Sequence, residues 1–102
     1  MSDVAMRPLR DLVEARRVEI KEIVARHHGR SVALFGSVAR GEELPGSDID
    51  LLVELEPGAR PIELLSIGVE LEELLGVKVD VGSPGSLRDR MRAEVLAESI
   101  PL

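Results

Sequence analysis

Cysteine is absent from this 102-residue chain, as are tryptophan and tyrosine, and Phe35 is the only aromatic residue. Without cysteine there is no disulfide, no thiol catalysis and no zinc ribbon. The two histidines, His27 and His28, are adjacent and have no Cys or third His to join them, which argues against a zinc centre. Basic surface and aromatic platforms are what grip nucleic acid, yet the chain carries 13 basic against 19 acidic residues, a net charge of −6. No direct nucleic-acid binding is expected. No apolar run reaches the roughly 18 residues of a membrane span. Asp3, Arg7, Arg10 and Asp11 interrupt the N-terminus where a secretion signal would be apolar. No membrane association and a cytoplasmic location are expected. Asn, Gln and Thr are also missing, and Lys21 and Lys78 are the only lysines. That composition suits a thermophilic source, or equally a GC-rich genome.

The remainder is a globular balance, 44% hydrophobic and 31% charged. The length fits one domain, residues 1–102, with roughly 60–70% of the unfolded surface buried. Leu9, Leu12, Val13, Ile20, Ile23, Val24 and His27 recur at helical spacing, predicting a helix over 9–27 that starts beside Pro8 and stops at Gly29. Residues 31–35 read as a buried strand ending at Gly36, and 37–43 can hold a helical turn or two before the Pro45-Gly46 break. Over 48–54, Ile49, Leu51 and Val53 alternate with Asp48, Asp50 and Leu52, which predicts a strand. A helix follows over 61–75, with Leu64, Leu65, Gly68, Leu71, Leu74 and Leu75 as its buried stripe and Gly76 at its end. Residues 77–81 read as a third strand, and Ser86 as the N-cap of a last helix over 87–98 carrying Leu87, Met91 and Val95. The order α-β-α-β-α-β-α indicates an α/β (α+β) layer domain.

Asp48 and Asp50 stand two apart on a strand, so their carboxylates share a face. A bare D-x-D is most simply a solvated strand face, but like charges so close invite a compensating cation. Hard carboxylates suit Mg²⁺, which completes its shell with water and phosphate oxygens. Asp80 faces away from Val79 on another strand. If that strand neighbours 48–54, a third carboxylate joins the pair, as in sites holding two metals for displacement at phosphorus. Gly36-Ser37 follows a strand and opens a helical turn. It is either an ordinary turn with a Ser cap or a phosphate cradle with a hydroxyl donor. Arg40 could pair with phosphate or with the aspartates, Gly41 ends the turn, and Ser47 could cap a turn or touch phosphate.

Taken together, Gly36-Ser37-Val38-Ala39-Arg40-Gly41 followed by Ser47-Asp48-Ile49-Asp50-Leu51 resembles the signature of the DNA polymerase beta-like nucleotidyltransferase superfamily, G-S-x-A-R-G and then S-D-x-D-L. The likeness runs from about residue 31 to 82, with Asp80 in the place of the third acid. The small size resembles the minimal nucleotidyltransferases (MNT), often antitoxins paired with HEPN-domain ribonuclease toxins. The resemblance implies a small mixed β-sheet packed by helices, the nucleotidyltransferase fold. It implies Mg²⁺-dependent transfer of AMP from ATP to a hydroxyl, in the antitoxin branch a tyrosine of the toxin, within a hetero-oligomer. By resemblance, Asp48, Asp50 and Asp80 are catalytic and hold the metals, with Asp80 acting on the acceptor hydroxyl. Gly36, Ser37, Arg40 and Ser47 meet the nucleotide. Larger relatives carry a further domain, whereas about twenty residues follow Asp80 here, so base recognition is expected to be thin or completed by a partner. The alternatives are an antitoxin that neutralises by contact alone and a transferase acting on a small molecule.

Overall fold

The computed structural model describes residues 8–44, 46–86 and 89–102. Pro45 and Leu87 lie outside the described residues, as do the side chains of Ser86 and Met91. The elements in order are α1 (Pro8–Ala15), α2 (Arg17–Arg26), β1 (Gly29–Phe35), α3 (Gly36–Arg40), β2 (Ile49–Leu55), α4 (Ile62–Leu75), β3 (Val79–Gly82), a single 3₁₀ turn (Pro84–Ser86), α5 (Asp89–Glu98) and β4 (Ile100–Pro101). The four strands form one mixed sheet in the order β3-β2-β1-β4. β1 is antiparallel to both β2 and β4, while β2 and β3 run parallel, with α4 as the crossover that a parallel pair requires.

Each strand puts its apolar positions on one face. Val32 and Leu34 of β1, Ile49, Leu51 and Val53 of β2, and Val79 of β3 are buried there against Val13 of α1, Ile20, Ile23 and Val24 of α2, Val38 of α3, and Ile67, Leu71 and Leu75 of α4. The other face carries Phe35, Asp50 and Asp80 abreast in register. Leu52 lies on this second face too and is nonetheless buried, where the 3₁₀ turn packs on β2. The mixed α/β architecture is therefore the expected one.

Four local features differ from the sequence reading. The helix over 9–27 is two helices broken at Arg16. Between Val13 and Ile20 the inward positions fall on Arg16 and Arg17, which cannot enter the core, and the helix bends there. Arg16 is turned to solvent and pairs with Glu19 at 2.8 Å, while Arg17, its Nε buried, lies 3.7 Å from Glu14 and donates to the Pro101 carbonyl at 3.1 Å. The turn after α2 is made by His28, at φ 63°, not by Gly29. Gly29 is required for another reason: a Cβ there would stand 2.3 Å from Val24 Cγ1 and 2.9 Å from its carbonyl oxygen. In α4 the buried stripe is Ile67, Leu71 and Leu75, while Leu65, expected inside, is 68% exposed. The two-residue β4, whose proline suits only an edge strand, has no counterpart in the sequence reading.

The ends of these elements are tied by charge. The Glu43 carboxylate accepts the Leu9 and Arg10 backbone N–H groups at 3.0 and 3.2 Å, so an acid from the loop after α3 caps α1. Across the α2–α4 seam, His27 donates from Nδ1 to Glu63 at 3.2 Å and from Nε2 to Glu70, which also pairs with Arg26 at 2.6 Å. Two carboxylate acceptors ask for two N–H donors, which only the imidazolium offers. The hydrogen bond to Glu70 accordingly pushes the His27 pKa above 6.5, against burial and with help from Glu63. The same bond holds Glu70 below 4.5.

The His27 contribution to stability is complete below its unfolded pKa of 6.5 and is lost as pH rises through the higher folded value. That of Glu70 is present above 4.5 and is lost as pH falls through the lower folded value. In thermal melts across pH, His27→Gln is expected to lower the melting temperature most between 4.5 and 6.5. The two proteins should converge as pH rises through the raised folded pKa of His27, above which both carry a neutral side chain at this position.

Candidate active site

The site is built by β2. Ile49, Leu51 and Val53 are fully buried on the helix-covered face, and strand alternation then forces Asp50 onto the opposite one. β3 lies beside β2 in parallel register with Asp80 directly opposite Asp50, while on the other side Phe35 of β1 is the partner of Asp50. Asp48 sits one residue before β2, and its carboxylate is 3.8 Å from the Lys78 ammonium. The Asp50 carboxyl is held above its ordinary value of 3.8, chiefly by burial, then by the charges of Asp80 and Asp48, with Arg40 opposing. Among the described residues neither Asp50 nor Asp80 has a hydrogen bond or ion pair of its own.

Gly36 closes against this group. It has φ 77°, and a Cβ there would lie 2.4 Å from Asp50 Oδ2 and 3.1 Å from its Cγ. The β1–α3 turn thus rests its backbone on the Asp50 carboxylate, which no residue with a side chain allows. Ser37 is the second residue of α3. It does not cap the turn: Phe35 holds the cap position, in extended conformation and without a side-chain cap bond. Gly41 ends α3, as expected. Arg40 is close enough to act on Asp50 electrostatically, but its guanidinium is engaged by Glu42 at 2.8 Å and Glu98 at 3.5 Å. Ser47 turns its hydroxyl inward on its own loop, where Oγ accepts the Leu44 N–H at 2.8 Å.

The structure therefore gathers Asp48, Asp50, Asp80 and Gly36, with Ser37 beside them, and leaves Arg40 and Ser47 occupied by other partners. The fit to a divalent cation lies in the chemistry of the donors: hard carboxylate oxygens, partly solvated, with Lys78 and the more distant Arg40 as the cations acting on them among the described residues. Among the described residues, no three His, Asp or Glu side chains are already drawn together around a point that could hold an ion.

Two further residues belong to the site and were not singled out in the sequence. Lys78, two residues before Asp80 and so on its side of the strand, is the cation nearest to Asp48. Its position two before an acid was the available signal. Glu72 of α4 accepts the Val79 N–H at 3.0 Å and steadies the strand one residue before Asp80. That contact joins two elements and has no sequence signature. Beside Asp48 lies a cavity of about 720 Å³ with Leu9, Leu44 and Val77 as apolar walls and Ser47, Asp48 and Lys78 among its polar groups.

Paired carboxylates on one strand, a third acid in register on the next and a glycine turn resting on the central one make an arrangement suited to handling phosphates. The model of the nucleotidyltransferase domain family matches residues 17–102. The protein adenylyltransferase MntA of Thermococcus cleftensis is 32% identical over 97 residues, covering 95% of this chain and 98% of its own length. A solved structure provisionally described as a minimal nucleotidyltransferase superposes with a TM-score of 0.82 at 44% identity, over 91% of this chain and 95% of that one. A complex of a tri-AMPylated Shewanella oneidensis HEPN toxin with its MNT antitoxin matches with a TM-score of 0.63 at 18% identity, over 90% of this chain and 70% of that one, a likeness of fold. The chain belongs to the nucleotidyltransferase domain family, and within it to the minimal nucleotidyltransferases. It is a nucleotidyltransferase. Among the described residues, no helix is long and apolar enough to cross a membrane.

Two substitutions test the geometry by stability alone. Asp50→Asn removes a carboxylate that burial and two like charges disfavour, so at neutral pH the metal-free protein should melt roughly 2–4 °C higher, the shift that about 0.5 kcal/mol gives in a domain of this size. The difference should vanish as pH falls below 3.8, where the acid is protonated in both the folded and the unfolded chain. Gly36→Ala should destabilise by about 1–2 kcal/mol in denaturant titration, the cost of a left-handed backbone for an L-residue, before any displacement of Asp50 is added.

Proposed function

We propose that this chain transfers AMP from ATP to a hydroxyl on a partner protein, a tyrosine of a HEPN-type toxin, and thereby acts as an antitoxin in a hetero-oligomer. The observation that carries the reading is the register of Asp50 with Asp80 beneath the Gly36 turn. The likeness to the protein adenylyltransferase MntA along nearly the whole chain supports a protein as the acceptor. The chain contains no tyrosine, so on this reading the acceptor lies on another molecule. An ATP-consuming reaction on a toxin belongs in the cytoplasm.

In this mechanism Asp48 and Asp50 hold Mg²⁺, with Asp80 contributing from the neighbouring strand. When bound, the ion neutralises charge on the transferred phosphoryl group and on the leaving pyrophosphate. Gly36 lets the backbone approach the triphosphate, and the Ser37 hydroxyl donates to it. Arg40 and Ser47 contribute to the nucleotide only by leaving Glu42 and Leu44. Lys78 exchanges Asp48 for a phosphate oxygen, and the cavity beside it takes the base between Leu9, Leu44 and Val77. Asp80 accepts the proton of the acceptor hydroxyl. That oxygen forms its bond to the α-phosphorus as the bond to the pyrophosphate oxygen breaks, and pyrophosphate leaves with the electron pair.

On this reading the neighbouring reading frame encodes a HEPN-domain protein, and the test is incubation of that product with ATP, Mg²⁺ and this chain, read by mass spectrometry for added AMP. Asp48→Asn and Asp50→Asn are each expected to slow transfer roughly 10²–10⁴-fold, the worth of several kcal/mol of charge stabilisation. Asp80→Asn is expected to lose transfer while keeping most of the ATP-dependent rise in melting temperature, since it acts on the acceptor. Full neutralisation of the toxin by Asp80→Asn, with no AMP on it, would mean that contact alone is enough.

A further inference from the structure

α4 has two flanks. The one towards α2 carries Glu63 and Glu70, both engaged by His27. The other faces the free edge of the sheet and is apolar without cover: Ile62, Leu65 and Val69 are 56, 68 and 58% exposed. Their spacing of three and four places them on one stripe. Among the described residues they are half of the six strongly exposed large apolar side chains, so the exposed apolar surface is concentrated on this one flank. Between it and β3 runs a groove of about 260 Å³ whose walls include Leu65, Gly68, Val69 and Val81. Gly68 makes the groove close-fitting, since a Cβ there would come 3.6 Å from Val81 Cγ2. Among the described residues, the polar groups lining it are Glu72 and Asp80, and no basic residue lines it.

Three facts narrow the occupant. The groove reaches Asp80 at the edge of the sheet, so whatever lies in it borders the acidic site. Its polar groups are both acidic, on a chain of net charge −6, so its partner carries basic residues. The outward N–H of Val79 is already taken by Glu72, which removes one of the edge donors a further strand would use and favours side-chain packing by a helix. We propose that the α4–β3 groove is where the acceptor protein docks. One of its helices lays an apolar stripe against Ile62, Leu65 and Val69, with a basic side chain towards Glu72, and brings the acceptor hydroxyl to Asp80. This rests on the protein-acceptor reading above and names the surface that selects the acceptor.

The test is Leu65→Lys combined with Val69→Lys, both exposed and both to a good helix former, so the fold is expected to stand. Val18→Lys, equally exposed at 67% on α2, is the control. Affinity for the HEPN-domain acceptor of the proposed reaction is measured by calorimetry, and AMP transfer to it by mass spectrometry. The ATP-dependent thermal shift is followed in the same variants. The double variant is expected to lose at least roughly tenfold in acceptor affinity with its thermal shift unchanged, while Val18→Lys matches wild type. Unchanged affinity in the double variant, or an equal loss in Val18→Lys, overturns the docking surface. Wild type that binds through the groove but transfers no AMP leaves the docking surface standing and removes the transferase reading. Wild type that does not bind at all removes both.

Discussion

Everything at the site depends on one constraint: three side chains of β2 are fully buried on one face of the sheet, which leaves Asp50 no choice but the other. Ile49, Leu51 and Val53 meet Leu34, Val32 and Val79 across the ladder and the helices above it. A one-residue slip would expose all three and bury Asp50. The core therefore acts as the registration device of the acidic cluster. Its apolar free energy holds in place carboxylates whose mutual repulsion and desolvation work against folding.

The same constraint explains why the surroundings are built so closely. Gly36 touches the Asp50 carboxylate because β1 is antiparallel to β2 and ends opposite it, and the turn that leaves β1 must pass over that oxygen. Lys78 and Glu72 support the neighbouring strand from two directions, one by facing Asp48 and the other by holding the Val79 N–H. Glu43, by capping α1, fixes the loop that leads into Asp48. Glu43, Glu63, Glu70 and Glu72 thus hold the scaffold through their hydrogen bonds, while, among the described residues, the carboxylates of Asp50 and Asp80 are left without such partners at the site.

α4 links the scaffold to the reaction. One flank is stapled to α2 through His27, its centre fills the core with Ile67, Leu71 and Leu75, and its third side borders β3 and Asp80. A helix that serves three surfaces has apolar residues around most of its circumference. That is why the exposed Leu65 and the buried Ile67 could not be told apart by periodicity.

The sequence by itself determined the α/β class, the alternation of β2 and the motif residues Gly36, Ser37, Asp48 and Asp50. These are local matters, settled by spacing of two on a strand and by a glycine after an apolar run. It also put Asp80 opposite in facing to Val79, but it made the meeting of Asp80 with Asp50 conditional on two strands being neighbours. Only the tertiary structure decided that, because strand order and parallel register arise from how α4 crosses the sheet and from no feature of either strand alone. The break at Arg16, the edge strand Ile100–Pro101 and the partners of Arg40, Ser47 and Val79 were decided in the same way. The edge strand and the Arg40–Glu98 pair join residues far apart in the chain, while Glu42, Leu44 and Glu72 lie close in sequence to the residues they hold. Side-chain hydrogen bonds of either kind leave no periodic trace in a sequence.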